Sequence, residues 1–216
     1  MILVLCPLKL EHDALVQALS SLIGSPRRSV DDVVYFGEQF ALGVGGHGKV
    51  RFALATQAYV RALAPTLVVG AGACGALIPG LELGSVIVAE HTVEHDFNLS
   101  FVSRPLPSFA GDASAIAKLK TQSWPGFQVH FATIASGDED VVTPERASQI
   151  LARTQGASVV AWEGAGLARA ALFCQTPFLE LRAVVDHADA NAVTDFKKNV
   201  SSAMKNIAEV LRSLVS

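Results

Sequence analysis

The chain has 216 residues, half of them hydrophobic, 17% charged, with a net charge of −3. That length suits one α/β domain and allows a substantial core without disulfides or metals. No apolar run reaches the roughly 18 to 20 residues of a membrane span, and the mixed-sign charge offers no basic stripe for nucleic acid, so the expected partner is a small molecule. Met1-Ile-Leu-Val-Leu-Cys6 leads directly into Pro7-Leu-Lys-Leu-Glu11 without the basic region and small-residue cleavage site of a signal peptide. Cys6, Cys74 and Cys174 lie in apolar surroundings without C-x-x-C spacing, as buried thiols of a reducing compartment do, so a cytoplasmic protein is expected.

Taken in chain order, Ile2 to Cys6 reads as a strand and Glu11 to Ile23 as a helix. Val33 to Phe36 and Phe40 to Val44, either side of Gly37-Glu38-Gln39, read as a hairpin. A helix from Val50 to Ala64 precedes strands at Thr66 to Gly70 and Ser85 to Ala89. Asn98 to Gly126, rich in Ser and Pro, reads as a long loop with one short helix around Ala113 to Leu119; loops of that length in compact domains often cover sites. Strands at Phe127 to Ile134, Ser158 to Trp162 and Phe178 to Val185 alternate with helices at Pro144 to Thr154 and Gly164 to Phe173. A last helix carries Phe196, Val200, Ala203, Ile207, Val210, Leu211 and Leu214 along one face that must pack on the body. This alternation predicts an α/β fold, and the hairpin makes the sheet mixed, giving a three-layer α/β/α domain over residues 1–216. Internal repeats and low-complexity tracts are absent from the sequence.

Ligands of α/β sheets bind at the carboxyl ends of strands, so glycines and acids just past each strand are the candidates. Gly45-Gly46-His47-Gly48-Lys49 opens a helix; it is either a place where backbone N–H groups meet an anion or a sugar hydroxyl, or a tight strand-to-helix turn. Gly70-Ala-Gly-Ala-Cys-Gly-Ala76 either lets a ligand lie against the backbone or relieves crowding. Glu11, Asp138, Glu163 and Asp186 each follow a strand. One such acid is ordinarily a helix cap, but several on one sheet edge suit cleavage of an N-ribosidic bond. There the leaving base needs a proton, the attacking water needs a base, and the ribose hydroxyls need an acceptor. The acid must keep its proton near neutral pH, and Ala183, Val184 and Val185 beside Asp186 supply apolar surroundings for that. His91-Thr-Val-Glu-His95-Asp96 lacks the His-Glu-x-x-His order of a metal site, and neither metal nor cofactor is expected.

The order of Gly48-Lys49-Val50, Gly72-Ala-Cys-Gly75, Ser136-Gly-Asp138, Trp162-Glu163 and Arg182-Ala-Val-Val-Asp186-His-Ala-Asp189 resembles the nucleoside phosphorylase superfamily, over nearly the whole chain. Within it the likeness is greatest to the methylthioadenosine/S-adenosylhomocysteine nucleosidases. That resemblance implies a phosphorylase/hydrolase-like fold, a purine nucleoside substrate, and a homodimer or larger homo-oligomer. It also implies Asp186 as the acid that protonates purine N7, Glu163 as the acceptor of the ribose 2′- and 3′-hydroxyls, and Glu11 as the base that activates water. The substrate would further meet Gly72, Ala73, Cys74, Asp140, Val141, Trp162 and Phe196, although Phe196 at helix spacing is equally readable as core. His187, beside the acid, either tunes it and orients substrate or fills a position where the family has an aliphatic residue.

The chain also departs from the family. Asp140 stands where an aromatic residue stacks on adenine, Ala73 where there is a serine, and Val185 where a serine precedes the acid. Trp162-Glu-Gly-Ala165 with Phe178-Leu-Glu-Leu-Arg182 resembles futalosine hydrolases too, but those carry asparagine in place of Asp186. Both arginines that hold phosphate in the phosphorylases are missing: Gly70 occupies one position, and Cys6-Pro-Leu-Lys-Leu-Glu11 replaces the loop of the other. Losing guanidinium contacts to phosphate forfeits roughly 1.5 to 3 kcal/mol each, which favours water as the nucleophile. A phosphorylase, its arginines replaced by Lys9, Arg27, Arg28, Arg51 or a neighbouring subunit, is the second reading, and a catalytically lapsed nucleoside-binding homologue the third.

Overall fold

The apolar N-terminus forms β1 (Ile2–Cys6) in the computed structural model, which describes residues 1–29, 32–98, 100–101 and 104–215. The chain continues through α1 (Lys9–Ala18), β2 (Pro26–Ser29), β3 (Asp32–Phe36), β4 (Phe40–Val44), α2 (Lys49–Leu63) and β5 (Leu67–Ala76). Then come β6 (Val86–Glu94), β7 (Ser108–Ala110), α3 (Ala113–Lys120), β8 (Val129–Ser136) and α4 (Pro144–Arg153). The last elements are β9 (Val159–Ala161), α5 (Gly164–Phe173), β10 (Phe178–Asp186) and α6 (Ala192–Val215).

All these strands join one mixed sheet. β5 runs parallel to β1 over its first half and to β10 along most of its length, while its last residues pair antiparallel with β9. β10 pairs with β6, β6 with β8, and β8 with β9, so five strands close into a ring. From β5 an arm extends outward through β1, β4, β3 and β2. The hairpin around Gly37-Glu38-Gln39 is present as β3 and β4, with Tyr35 opposite Leu42. β2 and β7 have no apolar alternation in Pro26-Arg-Arg-Ser29 or Ser108-Phe-Ala110 to announce them, and they exist because an edge was open to pair with.

Helices cover both faces, as expected. α1, α3 and α6 pack over one side, where Leu15, Leu119, Met204, Ile207 and Leu211 are fully buried. Each such side chain contributes about 2 kcal/mol of burial. α2 and α5 cover the other side through Phe52, Tyr59 and Leu167. The three-layer α/β/α arrangement follows from the patterning: strands buried on both faces read as unbroken apolar runs, as Ile-Leu-Val-Leu-Cys of β1 does, and β10 is buried at every position although it carries Glu180, Arg182 and Asp186.

β5 departs from expectation. The glycine-rich stretch after Gly70 continues the strand to Ala76. Its glycines are places where neighbours press against the backbone: a Cβ at Gly70 would come within 2.7 Å of Leu167, at Gly72 within 2.7 Å of Arg182, and at Gly75 within 2.6 Å of Asp186. Relief of crowding, one of the two readings of this stretch, accounts for these three glycines.

Candidate active site

The site is built at the end of the ring where β1, β5, β9 and β10 finish. β1 ends at Cys6, and after Pro7 and Leu8 helix α1 begins with Glu11 in its first turn. The Glu11 carboxylate turns back toward the sheet, accepting hydrogen bonds from Leu8 N at 3.0 Å and from Ala73 N of β5 at 2.8 Å. Only 2% of Glu11 is exposed. Burial pushes its pKa up to about 7 and the nearby Glu163 adds to the rise, against the lowering effect of those backbone bonds and of Arg182.

β10 ends at Asp186. Its Oδ1 accepts from Ala188 N at 2.8 Å, a turn made possible by Ala188 in the left-handed region (φ 51°). The carboxyl lies over Gly75 of β5, where any side chain would displace it. Burial raises its pKa, opposed by the Ala188 bond and reinforced by Asp195.

β9 is followed by Trp162 and then Glu163, the N-cap of α5. Ser136, at the end of β8, fixes this junction: its hydroxyl donates to Trp162 O at 2.6 Å and accepts from Ala165 N at 2.9 Å. The buried Glu163 carboxylate is held from two directions. Gly48 N and His47 Nδ1 each lie 3.2 Å from Oε1, and Arg182 Nη2 donates to Oε2 at 3.2 Å. Gly48 presents its N–H from a positive φ of 84° at the N-cap of α2, which is why glycine stands there. The His47 ring stacks on Trp162 with centroids 4.1 Å apart.

Glu11, Glu163 and Asp186 therefore open onto one cavity of about 410 Å³. Ala73, Cys74, Asp140, Val141, Trp162 and Phe196 also line it, whereas Gly72, Asp138 and His187 do not. Gly72 lies behind the wall, in the gap between Arg182 Nη1 and Glu11 Oε1. Asp138 is elsewhere: it accepts from Lys49 N at 2.8 Å at the start of α2, the ordinary role of an acid beside a helix. His187 is exposed and is not part of the lining. Glu94 and Asp96 are held by Lys49, and Glu94 also by Arg169. No described residue between 98 and 126 lines the cavity. The Cys74 thiol on the wall is pushed well up by burial and stays protonated.

Two participants were not singled out from the sequence, His47 and Arg182. Arg182 projects from the middle of an all-buried strand, and its only signal was that violation of pattern. Burial opposes its charge, and Glu180, Glu163 and Glu11 together more than offset this, keeping the guanidinium firmly ionised. Arg182 and the exposed Lys197 are the Lys and Arg side chains on the described lining. With Arg182 committed to carboxylates, no guanidinium fork on that lining faces an anion.

A profile described as the phosphorylase superfamily matches residues 2–216. A 5′-methylthioadenosine/S-adenosylhomocysteine nucleosidase of Geobacillus kaustophilus is 28% identical over 83% of this chain and 80% of its own length. An aminodeoxyfutalosine nucleosidase of Helicobacter pylori is 30% identical over 84% of this chain and 82% of its own. The crystal structure of the Neisseria meningitidis 5′-methylthioadenosine/S-adenosylhomocysteine nucleosidase in complex with methylthio-immucillin-A superposes with a TM-score of 0.88, at 28% identity, covering 99% of this chain and 97% of the other.

Proposed function

The chain belongs to the phosphorylase superfamily, and from that premise we propose that it is a nucleosidase that hydrolyses the N-ribosidic bond of a purine nucleoside. The observation that carries this is the convergence of Glu11, Glu163 and Asp186 on one cavity, two of them with raised pKa values. Asp186, whose hold on its proton is strengthened by burial, gives that proton to N7 of the leaving base. Glu11, near half-ionised at neutral pH, takes a proton from the water that attacks the anomeric carbon. Glu163 accepts from the ribose hydroxyls. A carboxylate offers about four acceptor positions; Gly48 N and Arg182 Nη2 already donate to this one, and His47 Nδ1 lies beside it. It takes one hydroxyl as it stands, and a second when the half-exposed His47 swings aside.

Water is the nucleophile in this reading because the cavity's guanidinium is bound to carboxylates. The names of the relatives make methylthioadenosine and S-adenosylhomocysteine the first substrates to try. The test is release of free base from these two, adenosine, inosine and futalosine, with and without phosphate. Release independent of phosphate is expected. Dependence on phosphate would make the protein a phosphorylase, and no release from any of them would make it a binding homologue. We further infer a cytoplasmic homo-oligomer of single-domain subunits. The free cysteines support the compartment, the single family match from 2 to 216 supports the domain, and exposed Val50, Leu54, Leu172 and Phe173 support association.

A further inference from the structure

Glu180 is fully buried on β10, outside the cavity lining. An ionised carboxylate in that position costs several kcal/mol unless its oxygens are met. They are: Arg182 Nε donates to Oε1 at 2.8 Å, and Thr92 Oγ1 on β6 donates to Oε2 at 2.5 Å. Above it sits the first residue of α5, and a Cβ at Gly164 would lie 2.1 Å from Oε2. Glycine there lets the helix N-terminus rest on the carboxylate, with the helix dipole favouring its charge. Fixing Nε fixes the plane of the guanidinium, since the group is rigid. Its Nη2 is then aimed at Glu163 and its Nη1 toward Ala73 O at 3.4 Å.

We infer that Glu180, with Thr92 behind it, is a positioning residue for sugar recognition: the chain Thr92–Glu180–Arg182–Glu163 holds the ribose-binding carboxylate in place from inside the sheet. This rests on the reading of Glu163 as the ribose acceptor. Without Glu180, the guanidinium loses its rear anchor and Glu163 is left with the contacts of the half-exposed His47 and of Gly48. The cost falls on interactions with the sugar hydroxyls and spares proton delivery to the base.

The test compares methylthioadenosine with its 2′-deoxy analogue in Glu163→Gln, Glu180→Gln, Thr92→Val and Thr92→Ser. For Glu180→Gln we expect kcat/KM on the ribonucleoside to fall at least 10-fold, mostly through KM, and less than threefold on the deoxy substrate. Thr92→Val, which leaves every charge in place, shows the same selectivity with a smaller loss and carries the prediction should Glu180→Gln not fold; Thr92→Ser behaves as the parent. Equal losses on both sugars in the Glu180 and Thr92 variants, with Glu163→Gln still discriminating, would overturn the positioning role and leave the ribose reading intact. Failure of Glu163→Gln itself to discriminate would overturn the ribose reading and this inference with it.

Discussion

At the scale of single residues, chemistry is assigned by environment. Asp186 and Glu11 are both carboxyls near one end of the ring, and burial lifts both, yet their surroundings differ. Asp186 is flanked by Val185 and Ala188 with one backbone donor, whereas Glu11 faces two backbone donors and Arg182. Asp186→Asn keeps the shape and the Ala188 contact but has no proton to give at that acidity, so kcat is expected to drop by roughly 10²- to 10⁴-fold with an unchanged circular dichroism spectrum; an active variant would mean another acid serves. For Glu11 the sign of the pH effect is fixed by the raised pKa. Folded Glu11 holds its proton up to about pH 7, the unfolded side chain only to about 4.5, so its contribution to stability is present at acid pH and is lost as pH rises through 7. Glu11→Gln removes that titration. Relative to wild type, the variant should gain about 2 to 3 kcal/mol between pH 5 and pH 8, measured by urea unfolding at each pH, while being inactive throughout. A flat difference would place the Glu11 pKa near its ordinary value.

At the scale of elements, the site depends on close approaches that only glycine permits. Gly166 of α5 touches the start of α2, where an added Cβ would sit 2.3 Å from Lys49 O. Alanine is the better helix former by about 1 kcal/mol, but overpacking against fixed backbone costs typically 1 to 3 kcal/mol. Gly166→Ala should therefore lower Tm. Because the same end of α2 presents Gly48 N to Glu163, it should raise KM as well; a Tm above wild type would show that the two helices yield freely. This level was only partly legible in the sequence. The strands with apolar runs and the long amphipathic α6 were, because burial dictates their composition. The acids at strand ends were too, but Asp138 looked like the others and caps α2 instead, since spacing from a strand says nothing of which way a side chain turns. β5 was expected to end at Gly70, because the glycines beyond it, which make room for Leu167, Arg182 and Asp186, carry no apolar run to announce a strand, and composition alone did not decide between room for a ligand and relief of crowding. Glu180-Leu-Arg182 carried a signal in the open: two charges two residues apart on one face of an apolar strand demand each other or a common partner.

At the scale of the whole molecule, closure of the sheet sets the distance between acid and base. In an open sheet Glu11 and Asp186 would be separated by whatever the strand order left between β1 and β10. Here both of those strands flank β5, and both carboxyls come to rest on that one strand, Glu11 at Gly72 and Ala73 and Asp186 at Gly75. Anchor points two to three residues apart along a strand are separated by roughly 7 to 10 Å at about 3.3 Å per residue. In the proposed reaction Asp186 serves N7 of the base and water beside Glu11 attacks the anomeric carbon directly, from the face opposite the leaving base, which inverts that carbon. A β-nucleoside should therefore yield the α-anomer of the free sugar as first product, seen by proton NMR in the first turnovers before mutarotation. Initial release of the β-anomer would mean that a carboxylate, not water, attacks the sugar first.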